Sequence, residues 1–414
     1  MIKILLIFTL NMMLLPIITF GLLVTLQPSS ISKFRFISFC LIVLVNYFIL
    51  KNWKIEKDIN IKIDKFALLY FGLGSLLFWF RFYYEPEGMW DAWAAWNAKA
   101  KDLSLSFLRG YDFALYRDYW LNPQYPIILP LQISFFTIFL GHWTPFVPIF
   151  LGYSYYLFLF IIVSSIANRV SNTTLLKHYI LLLSLAHPLY INIASDQCAD
   201  LIVSQLLLHS FLAIYFYFEF KIKEGLSLFL LSIVFLINTK LEGGVFSIIL
   251  LIVFIVKQFF SELKIRIRNI HLISLVITVF GAILFIYYKY STQQFTTYKL
   301  DPVTVFRNFL DWERHMKVFS YLGLFFLITF FAFIFLPIKI RVEKKLFLSY
   351  IFPLVGILSF YYLSMVLTPF NIDWHLNTAY IRINLQTFPT LLVMYLLLHI
   401  NSLSHMTNNT QSKL

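Results

Sequence analysis

The sequence predicts an all-α polytopic membrane protein, a bundle of about twelve transmembrane helices, and three observations predict it. Of 414 residues, 60% are hydrophobic and only 13% charged, where a soluble domain carries about a quarter charged. A water-soluble fold of this composition would expose more apolar surface than water tolerates. The apolar runs are also long and continuous instead of alternating with period two, which argues against a β-barrel. Finally, the charges sort by loop. Segments 51–65, 168–178, 220–225, 257–270 and 338–345 hold 17 of the 33 Lys and Arg, whereas 13 of the 20 acids fall in the intervening loops. Alternate basic loops are what one cytoplasmic face requires, so the net charge of +13 reads as an orientation signal and not as nucleic-acid binding.

At about 20 residues per span, the runs fall near 4–26, 34–50, 66–82, 146–167, 179–194, 199–219, 226–239, 243–257, 271–290, 318–337, 346–367 and 380–400. The first follows Lys3 and lacks a small-residue cleavage site, so it is expected to be a retained span. Ile127 to Leu140, with Pro126 and Pro130 at its start, is too short to span and fits an interfacial or re-entrant helix. Twelve spans place both termini in the cytoplasm, and counting 127–140 would break the charge alternation. Cys40 and Cys198 sit in or beside apolar runs and imply no disulfide framework. No tandem repeat or linker divides the chain, which is expected to form one transmembrane domain ending in a polar tail, 401–414.

The sizeable water-facing segment is the outer loop 83–145. It carries six acids between Glu85 and Asp118 and the run Trp90-Asp91-Ala92-Trp93-Ala94-Ala95-Trp96-Asn97-Ala98-Lys99. At 3.6 residues per turn, Trp90, Trp93, Asn97 and Lys101 share one stripe with Trp96 at its edge, as on a helix lying at the headgroup level. The indoles alone suit an interfacial anchor as well as a sugar platform. Asp91 is more specific: a carboxylate between indoles just outside the bilayer can take a proton from a hydroxyl while the indoles stack a sugar ring. The following Tyr119-Trp120-Leu121-Asn122-Pro123-Gln124-Tyr125-Pro126 reads as a rigid extended turn, with Tyr125 as a contact residue. Polar residues recur at other outer ends of spans, namely Asp196 and Asp200, Lys240 and Glu242, and Trp374, His375 and Arg382. Ionisable residues at membrane depth cost a few kcal/mol each, so Asp200, Lys240, Glu242 and Arg382 are expected to pair, snorkel or line a wet cavity. Lys240 with Glu242 also fits a purely structural pair.

Taken in order, these segments resemble one family. Trp90-Asp91-Ala92-Trp93 with Trp96-Asn97-Ala98-Lys99 is followed by Tyr125-Pro126 and Pro130, an apolar run ending at Gly141, Ala199-Asp200, Thr239-Lys240 with Glu242-Gly243, and Trp374-His375-Leu376 with Thr378 and Arg382. This is similar to the bacterial branch of the GT-C glycosyltransferases, related to the lipid-A core galacturonosyltransferases and more distantly to the aminoarabinose and protein mannosyltransferases. The likeness covers residues 66–400, with 1–65 adding two N-terminal spans and a basic loop ahead of it.

The resemblance implies an inverting hexosyl- or uronosyltransferase of the bacterial inner membrane. It would use a polyprenyl-phosphate-linked sugar donor and a hydroxyl acceptor in the cell envelope, such as lipopolysaccharide, another glycolipid, a polysaccharide or a protein. The superfamily's catalytic acid in the first large outer loop maps onto Asp91, on the periplasmic face. Its basic residues near the lipid phosphate map onto Lys240 and Arg382, with Lys99 beside the acid. Trp90, Trp93, Trp96, Tyr125, Asp196, Asp200, Glu242, Trp374 and His375 are then expected to meet sugar or acceptor. Many relatives carry two adjacent acids, whereas Asp91 is flanked by Trp90 and Ala92, so a divalent cation, Mg or Mn, stays open. The other classes are a flippase of a lipid-linked saccharide and a glycan ligase or polymerase. The first would usually show internal repeats with polar residues at the midplane; the second would want an arginine-rich outer loop, and 291–317 has only Lys299, Arg307, Arg314 and Lys317.

Overall fold

The apolar runs fold as helices, and among the described residues no strand forms. The structure is a computed structural model that describes residues 1–25, 30–52, 62–110, 125–168, 174–261, 269–292, 301–321 and 344–397. The helices run α1 Ile2–Thr25, α2 Ile31–Asn52, α3 Lys65–Tyr84, α4 Asn97–Arg109, α5 Ile128–Leu140, α6 Phe146–Ala167, α7 Thr174–Leu185 and α8 Pro188–Ser195. Then come α9 Ala199–Phe218, α10 Glu224–Thr239, α11 Leu241–Phe259, α12 Asn269–Thr292 and α13 Pro302–Leu310. Residues 312–321 form α14; α15 is Lys344–Val366, α16 Ile372–His375 and α17 Ile381–Leu385, and residues 388–397 form α18. Two π-helical turns interrupt the series, Ala92–Trp96 before α4 and Leu376–Tyr380 before α17.

Six of these, α1, α2, α3, α6, α9 and α11, are long and apolar enough to cross a membrane. Two expected spans are broken. The run 179–194 stops at Leu185 and restarts at Pro188, because a proline cannot donate to the preceding turn but fits the first turn of a new helix. The run 380–400 divides into α17 and α18 at a turn over 386–387. Most of the expected span 318–337, the tail 401–414 and the stretch 119–124 lie outside the described residues.

The core forms around α9, nearly every residue of which is buried; α10 packs along it and also meets α12 and α1. The N-terminal helix is therefore an integral part of the bundle. Thr9 Oγ1 meets His209 Nδ1 of α9 at 3.0 Å, and Gln132 of α5 donates to the Met12 carbonyl at 2.7 Å. By contrast α2 lies at the edge, held through a reciprocal Asn11–Asn46 amide pair. Its Arg35 donates to the carbonyls of Phe139 and Leu140 at 2.6 and 3.1 Å, which satisfies orphan acceptors at the end of α5.

The short run read as interfacial or re-entrant is neither a span nor a surface helix. Almost all of α5 is buried, packed against α4 and α1. This overturns the interfacial alternative and leaves the re-entrant one: the apolar residues run all round the helix, so no face remains for water or headgroups. In turn, α4 lays Ala100, Leu103 and Phe107 inward on α5. Among the described residues, exposed apolar faces occur on α2, α3, α11 and α12, for example Leu44, Leu76, Ile252 and Val276, a pattern suited to lipid.

Helix α3 offers a sharp test of this packing. A Cβ on Gly74 would overlap the Leu185 carbonyl and the Tyr156 hydroxyl, whereas one on Gly72 meets nothing within 4 Å. Gly74→Ala should cost about 1–3 kcal/mol through overpacking, and Gly72→Ala should be neutral or slightly stabilising. Thermal unfolding of the two variants in detergent checks this; equal midpoints would contradict the packing.

Candidate active site

The backbone that carries Asp91 is shaped first by a turn. Gly88 adopts φ +77°, and a Cβ there would stand 2.8 Å from the Asp196 carbonyl, so both conformation and close approach demand glycine. Gln197, itself at φ 58°, donates to the Pro86 carbonyl at 2.9 Å and accepts from Asn97 Nδ2 at 2.8 Å. These contacts clamp segment 86–97 onto the junction between α8 and α9.

Asp91 then enters the π turn Ala92–Trp96 with helical dihedrals and makes no side-chain capping bond. A π turn spends one residue more per turn than an α-helix, which rotates everything after it. The expected single stripe is therefore broken: Trp90 and Trp93 stay half-exposed, edge to face at 6.2 Å, while Trp96 is 1% and Asn97 2% exposed. Trp96 stacks on Tyr125 at 5.2 Å, which makes it a support for Tyr125 and not an open sugar platform. Lys99 is likewise buried, with Nζ 3.4 Å from the Tyr125 carbonyl and 5.7 Å from its ring centre. It braces Tyr125 from behind and does not line the cavity that Tyr125 lines.

Asp200, in the first turn of α9 and 1% exposed, gathers the cations. Lys240 Nζ lies 2.9 Å from its Oδ1, and Arg382 Nε lies 3.3 Å from its Oδ2; the latter is an ion pair without hydrogen-bond alignment. Gln386 donates to Oδ1 as well and accepts from the Tyr361 hydroxyl. Asp200 is thus a positioning group, enclosed by its partners and absent from the cavity wall. Lys240 occupies an extended residue between α10 and α11 and pairs with Glu242 at 2.7 Å too. Burial pushes its ammonium down, but Asp200 and Glu242 outweigh burial and hold it above the usual lysine range.

Arg382 completes the constellation. Its Nη1 stands 2.6 Å from Asp91 Oδ2, so the guanidinium bridges the carboxylates of Asp91 and Asp200. It lies one residue beyond the second π turn, while Asp91 directly precedes the first. π turns are costly and recur at functional sites; here one stands beside each member of the ion pair.

A cavity of about 320 Å³ opens against this cluster, within the range of small-molecule sites. Its polar wall comprises Lys240, Glu242, Arg382, Tyr125, Tyr361, Ser364 and His375, and its apolar wall includes Phe360, Met365 and Ile383. His375 is steadied by Thr368 Oγ1, 2.9 Å from Nδ1, and burial together with Arg314 pulls its imidazole down from the usual range. Trp374 stacks on His375 at 6.0 Å but is mostly exposed and outside the cavity. Sequence reasoning missed Tyr361 and Gln386, which look like stray polar residues in apolar runs.

Asp196 sits apart in the turn before α9, buried, 3.8 Å from Arg81, another residue not singled out from sequence. Arg81 also pairs with Glu85 at 2.7 Å. Burial raises the Asp196 carboxyl to about 7, with Arg81 and Arg382 pulling down and Asp200 pushing up.

The donor set does not suit a divalent cation. Among the described residues no group of three or more His, Cys, Asp or Glu side chains could hold a metal ion, and Asp91, Asp200 and Glu242 are each engaged by Arg382 or Lys240. Comparison of the chain with family models, curated proteins and solved structures finds no match in any of the three. The functional reading therefore stands on the site itself.

The Asp196 environment has a pH signature. An unfolded aspartate titrates near 3.9, so between roughly pH 4 and 7 the folded protein binds the extra proton and stability falls as pH rises. Asp196→Asn should flatten that slope between about pH 4 and 7 in thermal unfolding; an unchanged slope would contradict the assignment.

Proposed function

We propose that this protein is a membrane glycosyltransferase that moves a sugar from a polyprenyl-phosphate donor to an acceptor hydroxyl. The observation that carries the reading is the joining of two cations and an apolar wall in one cavity, with the Asp91 carboxylate bound to Arg382 of that wall, all drawn from segments far apart in the chain. Arg382 and Lys240 suit the phosphate, Phe360, Met365 and Ile383 suit the first part of a lipid chain, and Glu242, Tyr125 and His375 suit sugar hydroxyls. Lys99 acts at one remove, through Tyr125. The half-exposed Trp90 and Trp93 remain suited to the acceptor or to the bilayer surface.

In the reaction the acceptor oxygen attacks the anomeric carbon in line as the carbon–oxygen bond to phosphate breaks. The bonding pair leaves on the phosphate oxygen, whose charge Arg382 and Lys240 stabilise. Asp91 takes the hydroxyl proton, and the anomeric centre inverts. The architecture that accompanies this reading is a GT-C-like bundle of twelve spans in a bacterial inner membrane, termini in the cytoplasm and Asp91 on the periplasmic face. The placement of the ionisable residues at one end of the helices favours transfer over transport, for which sites gather at the midplane.

Mass spectrometry of envelope fractions with and without the active gene should show loss of one sugar from the product and accumulation of its lipid-linked form. With that donor in hand, Asp91→Asn should lower turnover at least about a hundredfold at unchanged membrane expression. Arg382→Gln and Lys240→Ala should weaken donor use. Full activity in Asp91→Asn would remove the base from the mechanism.

A further inference from the structure

Along the contacts that build the site, three carboxylates, Asp91, Asp200 and Glu242, meet two cations, Lys240 and Arg382. The cluster thus carries one excess negative charge before any ligand arrives. A phosphate entering beside it adds another, and like charges at close range in a partly desolvated site repel strongly. One carboxylate must give way.

The geometry says which one. Asp200 is enclosed and held by Lys240, Arg382 and Gln386 at once. Releasing it would strand a buried charge, at a cost of several kcal/mol. Glu242 is already part of the cavity wall and can keep Lys240 while a ligand binds. Asp91 differs from both: its side chain is 25% exposed, it stands outside the cavity wall, and its bond is to a guanidinium nitrogen of a residue that lines the cavity. Its carboxylate offers Arg382 the same oxygen-to-nitrogen contact that a phosphate oxygen offers.

We propose that Asp91 is a displaceable counter-ion, an internal stand-in for the anionic ligand. In the resting protein it holds Arg382, and its Oδ2 faces the guanidinium instead of an acceptor hydroxyl. When a phosphate group takes Arg382, the excess charge on the cluster pushes Asp91 off, and the freed carboxylate oxygen can turn to an acceptor hydroxyl. Binding of the anion thereby arms the base, and a hydroxyl that arrives first meets an unreactive site. This rests on the reading of Arg382 as a phosphate site and Asp91 as the base. The ligand chemistry is a phosphate oxyanion, whether on a prenyl lipid or free.

The test is calorimetric titration of the purified full chain in detergent with two probes, farnesyl monophosphate and inorganic phosphate. Removing the competitor should tighten binding, so Asp91→Asn should bind farnesyl monophosphate about five- to tenfold more tightly than the unmodified protein. The gain should vanish in the Arg382→Gln background. A gain with both probes assigns displacement to the phosphate itself, and a gain with farnesyl monophosphate alone assigns it to the lipid headgroup; either supports the proposal. Asp91→Ser, also uncharged, replaces the amide variant if that one does not fold. Unchanged or weaker binding in the Asp91 variant, with the unmodified protein binding normally, overturns displacement while leaving the phosphate site intact. Absence of binding in every variant overturns the phosphate reading and displacement with it.

Discussion

The polar chemistry of this protein hangs on one guanidinium held between two carboxylates. Arg382 reaches Asp91 with one nitrogen and Asp200 with another, and through Asp200 it is tied to Lys240 and Gln386. A planar fork with fixed donor directions is suited to this bridging in a way that a lysine ammonium is not. The bridge brings the loop after α3, the start of α9, the α10–α11 junction and the α17 segment to one place. The ends of α9 and α11 would otherwise carry an isolated charge beside a long apolar helix, a cost that pairing relieves.

Around that bridge the fold supplies rigidity in proportion to need. Asp200 sits on α9, the most enclosed helix of the bundle, so the hub of the network is the part least free to move. Asp91 and Arg382 sit beside π turns at partly exposed positions, so the members that must exchange partners lie at the rim. Trp96 and Lys99 were expected to touch ligand; their burial behind Tyr125 shows aromatic and cationic side chains used to brace a wall residue.

Much of this was legible in the sequence, for a physical reason. Long apolar runs and the cost of lone charges in lipid are strong constraints, so the helical class follows from residue type, as does the expectation that Asp200, Lys240, Glu242 and Arg382 pair, snorkel or line a wet cavity; which of these holds, and with which partners, came from the structure. The run at 146–167 coincides with α6. The π turns were not legible, because Ala92–Trp96 carries ordinary helix formers and one inserted residue leaves no mark on composition. The phase shift it causes turned Asn97 inward and broke the Trp stripe. Pro188 broke an apolar run that looked continuous, and Tyr361 and Gln386 gained their meaning only when the turn after α17 placed Gln386 against Asp200 and α15 placed Tyr361 against Gln386.

The most direct test of this account is a double-mutant cycle between Asp91 and Arg382, measured by unfolding of the purified chain. With Asp91→Asn, Arg382→Gln and the double variant, a coupling of about 1 kcal/mol or more is expected, as for residues in one partly buried network. Additive effects, with coupling near zero, would show that these two residues do not meet, and the site built on their meeting would fall.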